Sequence, residues 1–152
     1  EIRQNPSDSY QLLFTSRLYE FLYHLCRSYS HQIPSASLTG SQRDLQRVTH
    51  VMNWVKVHYP EPLSLETAAD SLALSKEYFY RLFKKYTGQT FLEYLNDVRT
   101  MHLYEDLQNS DETITVLMEK NGLSNYKIFM RTFKKLYGST PQKMRSNRIR
   151  HV

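Results

Sequence analysis

The chain has 152 residues, 40% of them hydrophobic, with a formal charge of +5 and a pI of about 9.3. That is enough for one domain or two small ones around a buried core, and only 4 glycines and 5 prolines argue against a β-rich or disordered chain. The excess of base favours an anionic partner, the lone cysteine, Cys26, excludes an internal disulfide framework and fits a reducing, cytoplasmic compartment, and no apolar run approaches the roughly 20 residues of a membrane span.

Residues 1–8 are polar, and a start at Glu1 without Met is expected of a piece of a longer protein. From Ser9 to Tyr29 an apolar stripe recurs at helical spacing through Leu12, Leu13, Leu18, Phe21, Leu22 and Leu25. The stripe needs a partner. It packs within this chain or on another domain, or it meets a second copy, which makes Leu18, Phe21, Leu22 and Leu25 a homodimer interface. Ser30 to Ser41 is rich in serine, holds Pro34 and Gly40 and has no periodicity, which is linker composition. The expected boundary therefore divides residues 1–41 from 42–152. Over residues 42–59, Leu45, Val48, Met52, Val55 and Tyr59 lie on one side of a helix, which Pro60-Glu61-Pro62 stops.

Ser64 then caps a short helix whose Ala68 and Ala69 are small enough for a close crossing, and Leu72-Ala73-Leu74 makes a turn. The helix after Ser75 has an apolar stripe of Phe79, Leu82, Phe83 and Tyr86. Its opposite face carries Lys76, Glu77, Tyr80, Arg81, Lys84 and Lys85, and Gly88 stands just past its end. Thr90 caps a further helix to Gln108, roughly 27 Å long at about 1.5 Å per residue. Phe91, Leu95, Val98 and His102 run down one side of it, extended by Tyr94, Leu103 and Leu107.

Thr113 opens a second copy of the same unit. Phe129-Met-Arg-Thr-Phe-Lys-Lys-Leu-Tyr-Gly138 repeats Phe79-Tyr-Arg-Leu-Phe-Lys-Lys-Tyr-Thr-Gly88 fifty residues on, while Thr113 to Ser124 repeats Ser64 to Ser75 at an offset of 49, so one extra residue enters before the second basic helix. A short helix, a turn of three or four residues and a basic helix make a helix-turn-helix. Gly122 falls in the second turn, where a positive φ is expected. Thr140-Pro141 opens a last short helix, and the basic tail from Arg145 is expected to be loosely ordered. The expected fold is all-α: two helix-turn-helix units, about 64–86 and 113–137, joined by a long linker helix over about 91–108, with an extra N-terminal helical segment.

These residues resemble the DNA-binding half of the AraC/XylS family of bacterial transcription regulators. The resemblance rests on Leu65-x3-Ala69-x2-Leu72-x2-Ser75, Arg81-Leu-Phe-Lys-Lys-x2-Gly88, Tyr94-Leu-x3-Arg99, Gly122-x6-Phe129-x-Arg-Thr-Phe-Lys-Lys-x2-Gly138 and Pro141-x3-Arg145. It covers about residues 45–145, and it is specific because the spaced elements agree in order. It implies two helix-turn-helix units with both recognition helices on one face. Residues 9–29 look like the helices that end the sugar-sensing domain of many members and form dimers; the β-rich sensor, with its sugar effector, is then absent from this chain. The resemblance further implies a nucleoid-associated activator that contacts RNA polymerase, of a carbohydrate-utilisation operon or else of a stress or virulence regulon. The second unit departs from the family pattern at Met118, usually Ala, at Asn121, usually branched and apolar, at Leu123, usually Phe, and at Met144, usually Tyr. A buried Asn121 needs a polar partner.

Reading a major groove takes side chains that hydrogen-bond base edges on the face opposite the apolar stripe. In the first unit those are Lys76, Glu77, Tyr80 and Arg81: Arg81 forks onto guanine or rests on phosphate, and Glu77 accepts from a cytosine amino group or pairs with Arg81. In the second unit they are Asn125, Tyr126, Lys127 and Arg131; Asn125 pairs with adenine or caps the helix, and Met130 can touch a thymine methyl. Lys84, Lys85, Lys134 and Lys135 suit phosphate as flexible point charges. Ser75, Thr90, Ser124 and Thr140 stand at helix N-termini, where backbone N–H groups also hold phosphate. A binder working by charge alone, without sequence preference, needs none of the Glu, Tyr and Asn on these faces. The six histidines are scattered, with no metal-ligand spacing, and no phosphate loop or nucleophile motif is present, so no enzyme, metal or cofactor is expected.

Overall fold

The computed structural model describes residues 17–22 and 39–149, with side chains up to Ser146. The chain divides into two compact units, residues 1–42 and 43–152. In the first, residues 17–22 are helical, and Arg17 Nη1 meets Glu20 Oε2 at 2.9 Å one turn on. Leu18, Phe21 and Leu22 are exposed there; Leu25 and the rest of the stripe lie outside the described residues.

From residue 40 on, seven helices follow: α1 (Gly40–His58), α2 (Leu65–Asp70), α3 (Lys76–Thr87), α4 (Phe91–Asn109), α5 (Ile114–Lys120), α6 (Tyr126–Tyr137) and α7 (Pro141–Ile149). Most starts are written in hydroxyl side chains. Ser64 accepts from the N–H of Thr67, Thr90 from that of Glu93 and Thr113 from that of Val116, with reciprocal capping boxes at Ser64 and Thr90. Helix α1 opens two residues earlier than its periodicity suggests, because Thr39 and Gln42 exchange hydrogen bonds ahead of it. Leu45, expected on the buried side of α1, is 52% exposed. The first turns of α1 run past the core, and there the Tyr78 hydroxyl reaches Asp44 instead (3.3 Å).

The apolar faces gather into two cores. The first joins Val48, Val51 and Val55 of α1 to Ala68, Ala69, Phe79, Leu82 and Phe83, and the second joins Leu117, Met118, Leu123, Phe129 and Phe133. Helix α4 serves both: Phe91, Tyr94, Leu95 and Val98 belong to the first, Leu103 and Leu107 to the second. The basic tail expected to be loose from Arg145 is helical to Ile149. Pro141 fixes the first helical φ, Thr140 Oγ1 accepts from the N–H of Lys143, and Met144 packs on the second core.

The departures in the second unit are accommodated. Met118 fits the crossing, 7% exposed. Asn121 is 1% exposed, and its Nδ2 donates to Asp106 Oδ2 on α4 at 2.8 Å and to the carbonyl of Leu117 at 2.9 Å. Thr100, in the middle of α4, is fully buried and its hydroxyl has no hydrogen-bond partner. These two groups give opposite expectations. Asn121→Ala removes a satisfied network and is expected to cost about 1–3 kcal/mol, whereas Thr100→Val removes an unsatisfied hydroxyl and is expected to be neutral or to stabilise by about 1 kcal/mol. Thermal melts of the two variants check this; a Thr100→Val protein destabilised as much as Asn121→Ala contradicts it.

Candidate nucleic-acid interface

The two basic helices are matched in construction. Helix α3 has Ser75 as its N-cap, accepting from Tyr78 N–H, and Gly88 as its left-handed C-cap; α6 has Asn125, accepting from Ile128 N–H at 3.0 Å, and Gly138. Each buries a face of phenylalanines, Phe79 and Phe83 in α3, Phe129 and Phe133 in α6. The opposite face of each is therefore left to solvent.

On α3 that face assembles the four residues that the sequence singles out. Lys76, Glu77, Tyr80 and Arg81 are all exposed and, with Leu65, line one shallow hollow of about 480 Å³. Lys76 Nζ lies 2.6 Å from Glu66 on α2, and this hydrogen bond raises the lysine pKa above its ordinary value. Lys84 Nζ stands 5.9 Å from the centre of the Tyr80 ring and Lys85 Nζ 5.3 Å from that of Tyr86, so both ammonium groups rest over aromatic faces at the far end of the helix.

The second unit is less regular. Helix α6 lies fifty residues after α3, so Tyr126, Lys127, Met130 and Arg131 occupy the places of Lys76, Glu77, Tyr80 and Arg81. Asn125 takes the place of Ser75 and spends its side chain on the cap. Ser124, expected at the helix N-terminus, stands one residue before that cap, because the extra residue of the second copy enters there. Met130 packs partly against the second core. Tyr126, 53% exposed, lines with Ser124 an open cleft of about 760 Å³ that also takes in Pro60, Pro62, Leu63, Arg99, Met118 and Gly122. Lys127, Arg131 and Lys134 are exposed, but Lys135 is held by Asp97 of α4 at 3.2 Å.

The helix N-termini differ in what they can offer an anion. At Thr90 both the backbone N–H and the hydroxyl donate to Glu93 Oε2 at 2.8 Å, and the N–H first, then the hydroxyl, holds the carboxylate pKa below its usual range. A carboxylate already occupies that terminus. Among the described residues, Ser75 and Thr140 carry no such carboxylate bond; each hydroxyl accepts from an N–H of its own helix.

One residue that matters to this geometry was visible in the sequence only as part of a motif. Arg99 on α4 donates through Nε to the carbonyl of Tyr59 and through Nη2 to that of Glu61, both at 2.6 Å. It is half-buried, and burial pushes its pKa down. Among the described residues, no helix is long and apolar enough to cross a membrane.

Comparison with known proteins agrees with this architecture. A family model described as a helix-turn-helix domain matches residues 68–147. The HTH-type transcriptional activator RhaS of Escherichia fergusonii is 31% identical over 111 residues, which are 73% of this chain and 40% of that protein. An uncharacterized HTH-type transcriptional regulator of Staphylococcus aureus is 33% identical over 102 residues, 67% of this chain and 14% of that protein. The chain thus spans less than half the length of these curated relatives. Among solved structures, the DNA-binding domain of the global transcriptional factor AdpA, in complex with a target DNA, superposes with a TM-score of 0.60 at 25% identity, covering 66% of this chain and 91% of that one. An AraC-type regulator from Chromobacterium violaceum gives a TM-score of 0.58 at 28% identity, covering 72% of this chain and 95% of that one. With its two capped, basic recognition helices hung on one shared helix, the chain belongs to the AraC/XylS family of DNA-binding helix-turn-helix transcription regulators.

Proposed function

We propose that one chain reads one asymmetric duplex site, with α3 and α6 in successive major grooves on one face, as the DNA-reading part of a transcription activator. The observation that carries this reading is the repeat itself. Two equivalent units follow one another head to tail on α4, and their outward residues differ, Lys76, Glu77, Tyr80 and Arg81 against Tyr126, Lys127, Met130 and Arg131. A dimer of single units mirrors its two-fold axis in a palindrome; a repeat along one chain has no such axis, so its half-sites differ in sequence. In this reading Arg81 and Arg131 fork onto guanine and Glu77 accepts from a cytosine amino group, while Lys84, Lys85, Lys134 and the N-terminus of α7 at Thr140 hold phosphates. Helix α4 has 19 residues, about 28 Å, against about 34 Å for one turn of duplex, and bending the DNA to close the difference costs on the order of 1–6 kcal/mol.

The activator role is supported by the printed name of the Escherichia fergusonii relative. A carbohydrate effector bound by another domain, a carbohydrate-utilisation operon and contact with RNA polymerase are what the family resemblance suggests for the whole protein. The exposure of Leu18, Phe21 and Leu22 supports a homodimer built through residues 9–29.

Three outcomes are expected. Arg81→Ala relaxes specificity at one base-pair position and costs about 1–3 kcal/mol, while Lys84→Ala weakens every duplex alike and lowers the salt slope by about one unit. Titrations on specific and scrambled duplexes at two salt concentrations separate the two, and equal loss on both duplexes for Arg81→Ala removes it from base reading. Hydroxyl-radical footprinting is expected to show two protected patches about 10 base pairs apart on one face of a non-palindromic site; a palindrome that needs two chains rules the reading out. In sedimentation, residues 1–152 are expected to self-associate where residues 42–152 do not, and two monomers at high concentration exclude the homodimer for this chain.

A further inference from the structure

We infer that Arg99, which belongs to neither core, is the positioning residue that fixes the spacing between the two recognition helices, and hence the spacing of half-sites that the protein accepts. The inference rests on the two-groove reading above and adds to it the part that sets the separation. Between α1 and α2, the turn Pro60-Glu61-Pro62 leads into the first helix-turn-helix. Its two prolines have no N–H to donate; of its other donors, the N–H of Glu61 goes to the carbonyl of His58 and that of Leu63 to the carbonyl of Glu61. Arg99, near the middle of α4, supplies two at once to the carbonyls of Tyr59 and Glu61. The planar guanidinium fork holds both oxygens in one orientation, which a single-point donor does not.

The second unit closes on the same place. A Cβ on Gly122 would stand 2.6 Å from the carbonyl oxygen of Pro60 and 3.1 Å from Arg99 Nε. The turn of the second helix-turn-helix therefore lies with its bare backbone against the turn that leads into the first. The first copy shows that the glycine is there for this approach rather than for its dihedral alone. Ala73 occupies the equivalent place, 49 residues earlier, with a positive φ of 51°, so the conformation accepts a Cβ there at the cost of some backbone strain. Gly122 has φ 72° and no room for a Cβ. Three pieces of chain are thus knotted at one point: the end of α1, the middle of α4 and the turn between α5 and α6. Helix α4 sets the approximate distance between the units, and the knot stops them from swinging about it.

The test uses the full chain and a pool of duplexes carrying both half-sites, with the spacer between them lengthened or shortened by one base pair, together with each half-site alone. The unaltered protein is expected to prefer one spacing. Arg99→Met keeps the stem of the side chain and loses both hydrogen bonds; it is expected to lower the preference over neighbouring spacings by about 5-fold or more, while binding to the isolated first half-site stays within about 2-fold. Gly122→Ala, which forces the knot open from the other side, is expected to do the same and carries the test if Arg99→Met does not fold. Arg99→Lys, able to hold one carbonyl, is expected to fall between. Unchanged spacing preference in both Arg99→Met and Gly122→Ala overturns the inference and leaves the two-groove reading standing. Equal loss on the isolated half-site also overturns it, because Arg99 then acts by contact or by stability. An unaltered protein with no spacing preference overturns both the inference and the two-groove reading.

Discussion

Everything in the DNA-binding unit depends on α4 being a wall for two cores at once. Its first half gives Phe91, Tyr94, Leu95 and Val98 to one core and its second half gives Leu103 and Leu107 to the other. The helix has no glycine or proline from Phe91 to Asn109, so nothing in its backbone invites a kink. The aromatic residues anchor it at both ends. Phe91 meets Phe79 and Phe83 edge-on at 5.8 Å, and Tyr104 stacks on Tyr137 at 4.1 Å. Each such pair adds about 0.5–1.5 kcal/mol beyond the area it buries. The recognition helices are held through these contacts, so their separation is a property of α4 and of what braces it.

The two copies solve the turn between their helices in different ways. In the first, Leu72 packs against the core and Ala73 makes the positive-φ step. In the second, the equivalent residues are Asn121 and Gly122. The buried asparagine replaces apolar packing with a bond to Asp106, which Lys120 also approaches at 3.7 Å. The glycine replaces a side chain with backbone contact against Pro60. The first change exchanges apolar packing for a directed hydrogen bond, and the second replaces an exposed alanine with a close backbone contact. Hydrogen bonds and close backbone approach have one good arrangement where apolar packing has several. The second unit is thereby tied to α4 and to the end of α1 rather than merely resting on them.

Much of this was legible in the sequence, for physical reasons. The stripes of α3 and α6 have a clear helical period because each helix has one wet side, and their ends are marked by Ser75, Gly88 and Gly138. The repeat fixed the unit, and the order of its motifs fixed the family. Less was legible where two solutions share one local pattern. Ser124 and Asn125 are both good caps, and only the placement of α6 chooses Asn125. Leu45 continues the stripe of α1 in period but lies beyond the core that the stripe covers. Lys135 and Lys134 look alike in sequence, yet only Lys135 lies within reach of Asp97, 38 residues away. The bonds of Arg99 to Tyr59 and Glu61 span 40 and 38 residues, and the close approach of Gly122 is to Pro60 of the distant first turn, which no local pattern carries; the signals available were the motif that holds Arg99 and the glycine of the second turn.

The ion pairs bear on how the charge of the chain meets a duplex. A net charge of +5 counts every lysine alike, but Lys76 sits on Glu66 and Lys135 on Asp97. The Lys76–Glu66 pair is exposed at both ends and opens easily, whereas in the other pair Asp97 is largely buried. Moving either lysine to a phosphate, however, uncovers a carboxylate beside the DNA. Among the described residues, Arg81, Lys84, Lys85, Lys127, Arg131 and Lys134 make no ion pair, and they lie on the exposed faces of α3 and α6. The closed pairs stand where α3 meets α2 and where α6 meets α4. The cations that make no ion pair are thus concentrated on the exposed faces of the two helices.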